Sequence, residues 1–264
     1  MGSRYDSIAR GTICMWPPYS NVEFAKLAHE QMTREGRVVM ANSNGNYELF
    51  MMAPFLDMIG AGEDYWSCTH RDEVVRAIAG KKPSSFLFGA QTDEAMKECL
   101  LFGIYPGMGS GENYESYRPL YRKYMPIFNA IDAAGWEPVT AARASDPSLY
   151  LERFGPDAGG ALYLVLRSPL SSRAFARITV SSADLGWPSY PTVAVTELTR
   201  KKQTGKDYDA HGNLVIIGGF VDPLDTKVYR VTLQVSNGRR TLPGRPKPAK
   251  TAMGGGASWQ RGGT

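Results

Sequence analysis

Cysteine and histidine are scarce in this sequence, with three of each in 264 residues. Cys14, Cys68 and Cys99 are odd in number and show no CxxC spacing, which argues against both a zinc cluster and a disulfide framework and leaves free thiols. His29 falls within an amphipathic helical stretch and His70 at a helix start, and no histidine pair has the i, i+4 spacing of a metal site, so no metal is implied. No apolar run approaches the ~18 residues of a membrane span, and no charged-then-apolar leader opens the chain. A membrane is therefore not an expected partner. The N-x-S/T sequon is missing too, which leaves the compartment open. GxxxxGK and GxGxxG are absent, so the glycine-rich stretch GMGSGEN at 107–113 reads as a loop before a helix, with Glu112 as a spare carboxylate, rather than as a phosphate cradle.

Acidic residues are missing from one place in particular. Residues 237–264 hold Arg239, Arg240, Arg245, Lys247, Lys250 and Arg261 and no carboxylate. Without those six, the 30 basic residues of the chain become 24 against 26 acidic ones, a net charge of −2. A near-neutral body with 14 Tyr and 5 Trp does not suit a phosphate backbone, so nucleic acid is not the expected partner. The basic segment, rich in Pro and Gly and without apolar periodicity, is expected to be disordered.

What remains is 43% hydrophobic and long enough to bury a large core. From Val22 to Glu35, Val22, Phe24, Ala25, Leu27, Ala28 and Met32 recur at helical spacing, with Asn21 placed as an N-cap and Gly36 as a stop. RVVMAN then reads as a short strand, NYELFMMAP as a short helix ending near Pro54, and FLDMIGAG as a second strand. RDEVVRAIAGKK (helix), SSFLFG (strand), TDEAMKECLLF (helix) and GIYPG (strand) follow. The helical stretch at 113–135 carries Pro119 and Pro126, which should kink or split it. Helices alternating with continuous apolar strands predict a parallel sheet covered on its faces. After Gly135 the texture changes to LYLERFG, ALYLVLRSP, RAFARITVS, TVAVTEL, NLVIIGGF and KVYRVTLQV, an antiparallel sandwich of about eight strands.

The order of these pieces, with the strand end GAGEDYW, then FGIYP, the junction GWEPVT and VDPLDTKVYRV, resembles the C-terminal portion of bacterial (β/α)8-barrel glycoside hydrolases with a C-terminal β-sandwich, broadly of the α-galactosidase group. The resemblance covers roughly residues 20–235. It implies a fold of class α/β plus all-β: a half TIM-type barrel over 1–135 with strands equivalent to the fifth through eighth, a β-sandwich over 136–236, and the basic tail at 237–264. A complete barrel needs eight strands, so an open half-barrel carries two bare parallel edges. A homodimer or a partner chain that completes the barrel is one expectation; a truncated product, inactive alone, is the other.

In parallel barrels catalytic groups stand at the C-terminal ends of strands, and glycoside hydrolysis takes two carboxylates, one as acid and one as nucleophile or base. The resemblance gives the acid/base role to Glu63, at the end of the sixth-equivalent strand, with Asp64 as its rival. It places the nucleophile's strand before Met1; Asp6 is a weak substitute because no apolar strand precedes it. The same acidic pair also reads as a polar loop that merely caps the next segment. Tyr65, Trp66 and Tyr105 are candidate platforms for the C–H faces of a sugar, although packing is the commoner fate of such rings. Asn42 reads equally as a sugar hydrogen-bonding group and as part of a turn. The implied ligand is a carbohydrate substrate, with no cofactor. A non-catalytic carbohydrate-binding or assembly protein is the alternative.

Overall fold

The structure is a computed structural model of the chain and describes residues 3–6, 11–14, 18–42, 51–60, 69–86, 90–107 and 114–234. Met1–Gln234 group as one compact unit. The basic segment at 237–264 lies outside the described residues.

A short antiparallel pair, β1 (Ser3–Asp6) and β2 (Gly11–Cys14), comes first. Helix α1 (Pro18–Arg34) starts earlier than the apolar spacing alone suggests. Pro18 supplies the reason: its missing N–H and fixed φ suit a first helical position, which leaves Asn21 inside the first turn rather than at the cap. Four parallel strands follow, β3 (Met40–Asn42), β4 (Met58–Gly60), β5 (Ser84–Ser85) and β6 (Ile104–Tyr105), arranged side by side in chain order. A 3-10 turn at Ala53–Phe55 leads into β4, α2 (Thr69–Ala79) into β5, and α3 (Asp93–Phe102) into β6.

After β6 comes α4 (Tyr114–Ala134), continuous through Pro119 and Pro126. The helix is not split. Tyr124, Ile127, Phe128 and Ile131 form a buried stripe at i, i+3, i+4 and i+7. The two prolines stand seven residues apart on the exposed face, where water can satisfy the carbonyls that each proline leaves unpaired.

Strands β7 (Trp136–Glu137) to β16 (Thr226–Leu233) are all antiparallel. β7, β9 (Tyr150–Phe154), β10 (Ala161–Arg167), β12 (Val193–Glu197) and β13 (Lys202–Gln203) join β16 in a six-stranded sheet ordered β13-β12-β16-β10-β9-β7. β8 (Ala142–Ala144), β11 (Ala174–Val180), β14 (Lys206–Tyr208) and β15 (Leu214–Val221) form the facing sheet, ordered β14-β15-β11-β8. The architecture is thus a partial α/β barrel followed by a β-sandwich. The middle of the six-stranded sheet is buried on both sides, as β10 shows most plainly. Leu162, Leu164 and Leu166 pack with Ile178 and Ile216 inside the sandwich, while Ala161, Tyr163 and Val165 belong to the core that holds Phe86, Leu100 and Phe128 of the barrel part. Each fully buried Leu or Ile contributes about 1.5–3 kcal/mol.

Helix α3 joins the two parts. Thr92 Oγ1 caps it by accepting from Ala95 N at 3.1 Å, and Ala95, Met96, Glu98, Cys99, Leu100, Leu101 and Phe102 are all buried. Burial pushes the Cys99 thiol well up, which makes it an inert core group. Arg167 of β10 donates to Glu98 at 3.3 Å, with both side chains almost entirely buried. At the rim, a chain of alternating charges runs Lys123–Asp93–Lys97–Asp225–Arg200–Asp222–Arg173, with separations of 2.7–3.6 Å. It ties α4 and α3 to the sandwich turns.

Two outcomes follow. Gly103 ends α3 at φ 61°, and a Cβ there would lie 2.8 Å from the Phe154 ring, whereas Gly36 at φ 67° has open space around it. Gly103→Ala is expected to lower stability by about 2–4 kcal/mol and Gly36→Ala by about 1 kcal/mol, both read from urea midpoints at unchanged slope. For Asp93, burial alone would raise the carboxyl, but hydrogen bonds from Lys123, Tyr124 and Lys97 outweigh it and hold the group well below the usual carboxylate range. Its stabilisation is therefore complete above the unfolded value of ~3.9 and is lost as pH falls through the lower folded value. Wild type should lose stability between about pH 4 and pH 2 more steeply than Asp93→Asn; parallel pH profiles of the two would refute this.

Candidate active site

The parallel sheet fixes where a site can be built. Asn42, Gly60, Ser85 and Tyr105 are register partners across β3, β4, β5 and β6, one row at the C-terminal end of the sheet. With about 4.8 Å between neighbouring strands, that row spans roughly 14 Å, the width of a one- or two-sugar site. Glu63 lies three residues beyond Gly60 in the chain. Glu63, Asp64, Tyr65 and Trp66 themselves lie outside the described residues, as do His70's side chain, most of the loop at 107–113 and the side chain of Asn42. The backbone of Asn42 is described and pairs beside Gly60.

Tyr105 is described in full, and α4 engages it. Its ring packs on Phe128 at 5.7 Å, and its hydroxyl donates to Asn129 Oδ1 at 3.2 Å. Burial, reinforced by the Asp132 carboxylate that it also hydrogen-bonds, pushes the hydroxyl up to about 12. The ring thus anchors the helix that follows its own strand. Asp6 closes β1, which belongs to the separate antiparallel pair and not to the parallel sheet.

The opposite, N-terminal end of the sheet is stitched by polar groups that the sequence reading did not single out. Asp57 accepts from Val39 N at 2.8 Å, and Lys82 donates to the carbonyls of Ala53 and Leu56, both at 2.6 Å. Arg76, almost wholly buried in α2, donates to the carbonyls of Gly80, Lys82 and Gly103 and to Ser84 Oγ at 3.0–3.2 Å. Burial pulls its guanidinium down to about 10, opposed by the carboxylates of Asp132 and Glu152. Burial in turn raises Glu152, which accepts from Trp136 Nε1 at 2.6 Å. A helical wheel of α2 carries the signal for this cluster: Asp72 and Arg76 share the buried stripe with Val75 and Ala79. Polar groups locked to backbone carbonyls at the N-terminal end of barrel strands act on stability, and chemistry belongs at the other end. Among the described residues no group of three His, Cys, Asp or Glu side chains gathers as a metal site would require.

With this geometry in hand, the comparisons are informative about fold. The chain superposes on the GH27 β-L-arabinopyranosidase of Geobacillus stearothermophilus with TM-score 0.53 and 12% identity, covering 83% of this chain and 55% of that one. A variant of that enzyme in complex with arabinose gives 0.52 and 12%, covering 81% and 55%. α-Galactosidase I of Mortierella vinacea gives 0.53 and 11%, covering 83% and 65%. The kinship with barrel glycoside hydrolases is structural. The chain spans little more than half the length of the arabinopyranosidase. No protein-family model matches the chain, and no curated protein matches it in sequence.

Arg76→Met keeps the length of the side chain and removes all four of these hydrogen bonds, stranding three carbonyls at the base of the sheet. It should cost about 3 kcal/mol, while Tyr105→Phe should cost about 1 kcal/mol; chemical denaturation of the two variants measures both. Equal small losses would show that the Arg76 clamp is dispensable.

Proposed function

We propose that this chain carries the acid/base half of a retaining glycoside hydrolase site, acting on an O-glycosidic bond. Glu63 is the acid/base, Asp64 its neighbour, Tyr65 and Trp66 the sugar platforms, and Asn42 a hydroxyl partner one strand away. Tyr105, half-buried against Phe128 in the same row, is a further candidate platform. One observation supports the reading: Gly60, three residues before Glu63 in the chain, stands in the C-terminal row of a parallel sheet whose fold is similar to that of glycosidases. The accompanying division is a half-barrel over 1–135, a sandwich over 136–236 and a tail at 237–264.

The half-barrel needs a complement. Phe24 and Leu27 of α1 and Val38 beside β3 are 73%, 64% and 75% exposed, and Met40 in the edge strand itself is 41% exposed. That apolar border lies where a fourth-equivalent strand and its helix would pack; Ala25 of the same helix is buried, whereas Phe24 and Leu27 meet no cover among the described residues. We assign the border to the other half of a barrel, contributed by a second copy or by another polypeptide segment, which would also bring the second carboxylate. The same observation favours a second reading in which the chain holds a glycan without cleaving it.

Galactose- and arabinose-configured aryl glycosides, the sugars named for the structural relatives, separate the two. The associated form, isolated by size and checked by light scattering, should turn over such a substrate. Glu63→Gln should reduce turnover by about 10²–10⁴-fold and leave binding of the free sugar within a factor of two or so. Intact binding without turnover in the associated wild type establishes the second reading, and no sugar binding at all refutes both.

A further inference from the structure

The sandwich holds a cleft of about 350 Å³ far along the sequence from Glu63, between the end of β12, the β13 hairpin and the middle of β15. Its floor is a β-bulge. Ala176 pairs with Gly219 and Arg177 with Ile217, so Gly218 is the extra residue. Gly219 at φ 67° has nothing within 4 Å of where a Cβ would stand, so bare backbone faces the opening. Glycine bulges recur where a ligand approaches the backbone closely.

Lys227 reaches the same floor from β16. It is 4% exposed, yet its ammonium is held by the carbonyls of Gly218 and Phe220 at 2.8 and 2.7 Å, and it forms no ion pair among the described residues. Glu197, Asp225 and Asp222 act on it only through space, so its burial remains costly. Arg173, Arg200 and Lys202 line the walls. Glu197 is the only carboxylate in the lining, and its Oε1 is taken up by Thr199 and by Arg200 N. Asp222 and Asp225 stand just outside and are engaged by Arg173, Arg200 and Lys97.

One wall is aromatic and open. Phe220 is 54% and Phe175 45% exposed, edge to face with centroids 5.4 Å apart, and the Arg173 guanidinium lies 5.0 Å from the Phe220 centroid. A flat apolar surface beside a cation-rich pocket suits a ligand with a C–H face and an attached anion. The geometry points to a site for a sugar carrying a carboxylate, a uronate residue of an acidic glycan, with its ring on Phe220 and its carboxylate towards Lys227 and Lys202. This site is independent of the proposed hydrolytic one, and its test reads binding alone.

The test is calorimetric titration of the full chain with trigalacturonate, with its fully methyl-esterified counterpart, and with sulfate alone. The acid trimer should bind with Kd on the order of 10⁻⁴ M and weaken as NaCl rises, the methyl ester should bind at least roughly tenfold more weakly, and sulfate should bind more weakly than the trimer. Phe220→Ala and Lys202→Ala, both on exposed side chains, should each weaken the acid trimer by roughly three- to tenfold. Lys227→Met should abolish binding while the protein stays folded by circular dichroism. No heat at millimolar trimer, equal binding of acid and ester, tighter binding of sulfate than of trimer, or unchanged affinity in Phe220→Ala and Lys202→Ala would each overturn the assignment.

Discussion

Everything in this structure depends on the burial of α3 from Glu98 to Phe102, where no residue faces solvent. A four-stranded parallel sheet cannot close on itself, and strands two or three residues long offer few backbone bonds of their own. What holds the sheet is that α3 and α4 press it against the sandwich, so that the barrel part and the six-stranded sheet share one apolar core. The buried Glu98–Arg167 pair sits at that contact. Such a pair contributes little net stability, because two desolvated charges offset their own attraction. It links α3 directly to β10.

The helix–strand alternation was readable because each element carries its own period and its own stop. Thr92 announces α3, and the i, i+3, i+4 stripe announces α4. The run Cys99–Phe102 is apolar at four consecutive positions, and that last turn of α3 is buried all round. α4 is not split at its prolines for a definable reason: they share a face that carries no packing. The strand count came out higher, ten rather than about eight, because β7, β8, β13 and β14 are two or three residues long and too short to show alternation.

The chemistry divides differently. The proposed acid/base, Glu63, follows the apolar segment ending at Gly60 by three residues, a local pattern that a linear reading reaches. The sandwich cleft draws on residues 173, 197–205, 217–220 and 227, brought together only by the pairing of β11 with β15 and β12 with β16. Nothing in KVYRVTLQV marks its lysine as the buried one; alternation alone would have put either Lys227 or its neighbour inward. The Arg76 clamp lies between these cases, present in the helical wheel of α2 but masked by the habit of treating a helix arginine as a surface group.

The double-sided burial of β10 also bears on how this sequence can drift. All seven residues from Ala161 to Arg167 are buried, whereas in β11 burial alternates with exposure. Random substitution will therefore accumulate in β11 at every second position, outward residues changing freely while inward ones hold. In β10 there is no free position, and each change must be absorbed by two layers at once. Over evolutionary time β10 should remain the most recognisable strand of the sandwich, and the outer sheet should come to look unrelated first.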